Sequence, residues 1–187
     1  MPERYVIEHC SPTLAGIKTG NLFRIQLDKL TNLYDEIREL NNILICKGLR
    51  AVPVKVTGKD ALVYIYRPDF LEKDLSSPEA IEILESKGYS CNGAQYCLVQ
   101  LIRHLAEDAV FPHEIGLFLG YPPSDVRHFM ADPCQGVKCS GCWKAYSDAD
   151  EAEKTFDMYK KCTDTYKRLH SQGRSLSQLV VEMKEAV

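Results

Sequence analysis

Several common signatures are missing from this sequence, and each absence narrows the field. No apolar run approaches the length of a bilayer span; the most apolar stretch, ALVYIY at 61 to 66, is far too short. The opening MPERYVIEHC holds no signal-peptide-like apolar segment, so a cytoplasmic location with no membrane partner is expected. Positive charge is not in excess: 23 Lys and Arg face 26 Asp and Glu, a formal net charge of −3, which argues against nucleic acid as a partner. GxGxxG, Walker A, HExxH and GxSxG patterns are all absent, which removes the common nucleotide, zinc-protease and hydrolase motifs. No internal repeat or low-complexity tail is present. No motif names a cofactor or an oligomeric state.

Cysteine is present in moderate number. Eight in 187 residues fall well short of the density of small secreted disulfide scaffolds, so they read as thiols: packed side chains, metal ligands or reactive groups. The length suits one domain, residues 1 to 187.

Hydrophobic patterning predicts the elements. RYVIEH at 4 to 9 is β-prone, and Ser11-Pro12 resembles a helix start. From Leu27 an amphipathic stripe through Leu30, Leu33, Ile37, Leu40 and Leu44 predicts a helix stopped at Lys47-Gly48. Val52, Val54 and Val56 alternate, TGKD turns, and ALVYIYR is apolar on both faces. This is a hairpin whose second strand is the more central, because Pro53 suits an edge. Ser77-Pro78 opens a helix closed by Gly88, and a stripe from Ala94 to Ala109 marks another. Residues 111 to 130 read as two short helices parted by Gly120 and Pro122-Pro123, and WKAYS at 143 to 147 as a strand. Asp148 with Glu151 and Ser175 with Gln178 are capping-box starts of a long helix and a short one. The order predicts an α+β fold: a small, mostly antiparallel sheet of about four strands packed by six to eight helices.

Three constellations carry chemistry. The first is His9-Cys10. A thiol turns nucleophilic where a helix N-terminus or a cation favours the thiolate, and Cys10 would precede a Ser-Pro helix start with Lys18 not far along the chain. Neighbours on a strand point to opposite faces, so the base would come from elsewhere, with His113 beside Glu114 the best candidate. The competing reading has Cys10 packed in the core. The second is CQGVKCSGCW. Cys139 and Cys142 have zinc-ligand or redox spacing and Cys134 is a third donor, but a structural zinc wants four, so no metal is assigned and these three stay weak candidates. The third is EIGLFLGYPPSDVRHFM, which has a helix-turn-helix outline but sets Arg127 and His128 against Asp125 and Asp132. Packing is the favoured use and DNA binding the lesser one. Tyr121, Trp143 and Tyr146 are pocket-lining candidates, with Lys18 and Lys144 as cationic anchors.

The blocks HCSPTLAGIKTGNLF, FPHEIGLFLGYPPSDV and CSGCWKAYSDADEAEKTFDMYKKC resemble the signature blocks of a bacterial family, domain-of-unknown-function family 3793. The resemblance brings no reaction or cofactor with it. It directs attention to His9, Cys10, Thr13, Gly16, Lys18 and Asn21, to His113, Glu114, Gly116, Tyr121 and Asp125, and to Gly141, Trp143 and Lys144. Cys142, where the family pattern implies an aromatic, and His128, where it implies glycine, depart from it and weaken a metal reading.

Two functional expectations follow. In the first, Cys10, His113 and Glu114 perform thiol-dependent catalysis on a small molecule or peptide, with His9, Thr13, Lys18, Asn21, Tyr121, Trp143 and Lys144 binding the substrate. In the second, the same residues form a non-catalytic ligand-binding or regulatory module.

Overall fold

In a computed structural model, described here for residues 1–27, 32–107 and 110–183, the elements are set out along the chain as follows. Helix α1 (Glu3–Leu14) leads into strand β1 (Gly20–Gln26), helix α2 (Leu33–Leu44) and a 3₁₀ turn at Ile45–Lys47. Strands β2 (Arg50–Val56) and β3 (Asp60–Tyr66) form the hairpin. Helices α3 (Pro68–Leu75), α4 (Pro78–Ser86), α5 (Ala94–Glu107), α6 (Ile115–Phe118) and α7 (Pro123–Ala131) follow. The short strands β4 (Cys139–Ser140) and β5 (Lys144–Ala145), the long helix α8 (Ala149–Ser171) and α9 (Leu176–Leu179) complete the chain. The fold is α+β. The chain divides into two compact units, residues 1–68 with 161–187, and residues 69–160. No described helix is long and apolar enough to cross a membrane.

The first unit is built on an antiparallel sheet of order β1-β3-β2. The central position of β3 and the edge position of β2 are as the sequence predicts, and the register slips between Pro53 and Lys55, where proline has no N–H to offer. Alternation sends Ala61, Val63 and Ile65 into one core, where Val6, Ile7, Cys10 and Leu14 of α1 and Ile37, Leu40 and Leu44 of α2 meet them. Tyr64 and Tyr66 take the opposite face of β3, their rings stacked at 4.8 Å.

The N-terminus differs from its sequence expectation. RYVIEH is helical, and Ser11-Pro12 lies near the end of α1 rather than opening a new helix. Val6, Ile7, Cys10 and Leu14 recur at helical spacing, and burying that stripe outweighs the local β preference of Tyr, Val and Ile. The helix ends in a Schellman turn: Gly16, at φ 75°, donates to the Thr13 carbonyl at 3.2 Å, and Ile17 donates to that of Pro12 at 3.0 Å. The last α1 carbonyls also accept from Arg67, which is 2% exposed: Nε donates to Thr13 O at 2.8 Å and Nη2 to Leu14 O at 2.9 Å. The same Nη2 donates to Val181 O at 2.7 Å, tying down the C-terminal segment. Strand β1 is an element the hydrophobic pattern did not announce. The predicted helix after Leu27 begins at Leu33, with Leu30 and, further on, Ala109 lying outside the described residues.

The second unit is helical apart from the β4–β5 ladder. The predicted caps form: the Ser77 side chain accepts from Ala80 N, and Asp148 Oδ1 accepts from Glu151 N at 3.0 Å. Helix α7 packs against α4, α6 and β5, and Arg127 forks onto both carboxylate oxygens of Glu82 in α4 at 3.2 and 2.8 Å. This α6–α7 pair thus spends its arginine inside the unit. His128 does likewise, with Nδ1 2.7 Å from Ser124 O and its ring stacked on Tyr146.

Candidate functional site

A cavity of about 370 Å³ opens in the second unit, within the size range of small-molecule sites. Its wall comes from two stretches far apart in sequence. His113, Gly116, Tyr121, Asp125 and Phe129 come from α6, α7 and their flanks, and Cys142, Trp143 and Lys144 from the β4–β5 turn. Gly116 lets the α6 backbone approach: a Cβ there would stand 2.8 Å from Val126 Cγ2.

Asp125 holds these two stretches together. It is 3% exposed, and both oxygens are engaged. Oδ1 accepts from Tyr146 N and Ser147 N, each at 3.0 Å, and from Ser147 Oγ at 2.8 Å. Oδ2 accepts from Trp143 Nε1 at 2.9 Å. Burial pushes the carboxyl up, but the bonds from Tyr146, Trp143 and Ser147 outweigh it and hold the group below its ordinary range. Asp125 is therefore a committed acceptor that positions the indole.

Trp143 is fixed on three sides. Beyond the bond to Asp125 it stacks on Tyr121 at 5.1 Å and meets Phe156 edge-on at 4.5 Å, while the Tyr121 hydroxyl donates to Cys142 O at 2.9 Å. Gly141 is held to glycine by the same ring, because an added Cβ would lie 2.3 Å from Phe156 Cδ2. Gly141→Ala is expected to displace the Phe156 ring and loosen Trp143, at a cost of about 1–3 kcal/mol. A lower midpoint in urea with red-shifted tryptophan emission is the expected result; an unchanged midpoint and spectrum would refute it.

The polar groups of the wall sit around Phe129. His113 is exposed and meets that ring edge-on at 5.0 Å, and Lys144 Nζ lies 5.9 Å from its centroid. Lys144 also donates to Pro133 O at 2.9 Å, which steadies an ammonium that has three protons to give.

Glu114 points elsewhere. It is 4% exposed, accepts from Tyr89 OH at 2.9 Å and lies 3.5 Å from His104 Nδ1. Of the metal candidates, Cys134 and Cys142 are exposed and Cys139 donates to Ala149 O at 3.8 Å. Among the described residues no group of three or more His, Cys, Asp or Glu side chains is placed to hold a metal ion.

The candidates of the first block belong to the other unit and build it. Cys10 has no exposed surface, and burial drives its thiol far above the ordinary range despite the opposing charge of Lys18. That is the reverse of what a nucleophilic thiol needs. Lys18 is 5% exposed and donates to Gly20 O, and Thr13 Oγ1 donates to Asn21 Oδ1 at 2.7 Å. His9 is exposed on α1 and stacks on Phe23 at 5.6 Å.

A family model described as a protein of unknown function, DUF3793, matches residues 6–180. The chain belongs to that family. No curated protein and no solved structure matches it. The match takes in all three signature blocks, and the second and third are the ones that line the cavity. Phe129 and Asp125 are cavity-lining positions whose place in the wall the sequence did not disclose. Their i, i+4 spacing on α7 puts them on one helix face, a signal that was present but had no partner to give it meaning.

Proposed function

We propose that this DUF3793 protein is a non-catalytic module that binds a small molecule in the cavity of the 69–160 unit. The ligand has a flat apolar body, which packs against Trp143 and Phe129, and an anionic group, which meets Lys144 near His113. The observation that carries this reading is the clamp of Asp125 on Trp143. A buried carboxylate with every oxygen occupied holds an indole in a set orientation at the wall of a pocket, a preorganised surface for stacking. Sealed Cys10 weighs against the thiol-dependent reading, and the four donors on Asp125 hold it as a carboxylate that positions the indole, with a pKa below the range a general base near neutrality needs.

Calorimetric titration with 2-naphthoate and its neutral counterpart 2-naphthamide tests this directly. Both are expected to bind, and Lys144→Met to weaken the acid about tenfold, about 1.4 kcal/mol, with the amide unaffected. Absence of binding by either probe, or equal loss of both in the variant, defeats the proposal.

A further inference from the structure

A second pair of thiols lies away from this cavity. Cys91, partly exposed, sits in the connection between α4 and α5, and Cys97, 2% exposed, in the first turns of α5. The two thiols interact and together line one small cavity of about 80 Å³ with Gly93, Ala94, Leu75 and Ile81. Their proximity is built in. Gln100, one turn beyond Cys97, accepts from Ser90 N at 2.9 Å through Oε1 and donates to Ser90 O at 3.2 Å through Nε2, fastening the connection onto the helix just before Cys91. Gly93, at φ 103°, turns the chain between the thiols, and Glu72 Oε2 accepts from Ala94 N at 2.9 Å to hold the helix start.

We infer that Cys91 and Cys97 are a reversible oxidation site, closing to an intramolecular disulfide when hydrogen peroxide reaches the small cavity they share. The Cys91 thiolate, the more accessible, attacks one peroxide oxygen and breaks the O–O bond, leaving a sulfenic acid and releasing water after proton transfer. The Cys97 sulfur then attacks that sulfenic sulfur, forming the S–S bond and expelling a second water. Two thiols and one peroxide become one disulfide and two waters, with the sulfurs oxidised and the peroxide oxygens reduced. Burial pushes both thiols up, Cys97 to about 11, so the pair rests protonated near neutrality and reacts faster as pH rises.

The test treats the reduced full-length chain with hydrogen peroxide at mildly alkaline pH, blocks remaining thiols by alkylation and maps tryptic peptides without reduction. The fragment 88–103 carries both cysteines. It is expected to lose the mass of two hydrogens, and to regain it with dithiothreitol. In Cys97→Ser, Cys91 is expected to stop at sulfenic acid and be captured by dimedone, with at least a tenfold gain in that adduct over the native chain. Should that fragment emerge with both thiols alkylated while Cys134, Cys139 or Cys142 are oxidised, or should Cys91 run on to sulfinic acid in the native chain, the inference is overturned.

Discussion

Asp125→Ala is expected to destabilise the 69–160 unit by about 3 kcal/mol, because it takes the shared acceptor from four donors, the buried Tyr146 N among them. Trp143 Nε1, Tyr146 N, Ser147 N and Ser147 Oγ all give their protons to this one carboxylate. Asp125→Asn keeps one carbonyl oxygen but sets an amide N–H₂ against the indole or the backbone donors, so a loss of about 2 kcal/mol is expected. Urea unfolding followed by emission of the single tryptophan reads both. A loss under 1 kcal/mol for the alanine variant would show that the clamp does not hold the site. The pH dependence has a definite sign. The folded carboxyl titrates below its unfolded value of about 3.9, so its contribution is complete above that value and disappears as pH falls through the lower folded one. The wild type is expected to lose this stability below about pH 4, and Asp125→Asn to show none of that dependence.

Arg67→Ala is the counterpart in the other unit, with an expected loss of about 3–5 kcal/mol. The guanidinium caps two carbonyls at the end of α1 and one at Val181, and removing it opens a void in the buried end of α1 and takes a charged donor from Thr13 O and Leu14 O, which keep only the backbone bonds from Gly16 N and Val181 N. Arg67→Lys offers a single ammonium in place of a planar fork that reaches three oxygens, so partial recovery is expected. Limited proteolysis should show the segment after Gly173 cut faster in Arg67→Ala at temperatures where the wild type resists. Equal cutting rates would mean that Val181 is held by other contacts.

How much of this was legible beforehand depended on whether the deciding interaction was local. The hairpin of β2 and β3 could be read because strict alternation, a proline at the edge and a TGKD turn all act within a few residues. The starts of α4, α8 and α9 could be read because capping residues satisfy amides one turn away. The strand expected at residues 4–9 failed for the opposite reason: Val6 and Ile7 favour strand locally, and only the core they share with β3 and α2 made α1 a helix. Strand β1 was silent because it offers just Phe23 and Ile25 to the core, with Arg24 and Gln26 beside them, and its pairing partner β3 lies some forty residues on.

By itself, then, the sequence determined the α+β class, most helix boundaries and the chemical types gathered in the signature blocks, because propensity, periodicity and capping are short-range. Only the tertiary structure decided what those residues do. It gave the second and third blocks a common cavity, sealed Cys10 in a core, turned Asp125 from an acidic neighbour of Arg127 into the anchor of an indole, and brought Cys91 and Cys97 to one small cavity. Burial and hydrogen-bond partnership set the reactivity of a thiol or a carboxylate, and both come from residues distant along the chain.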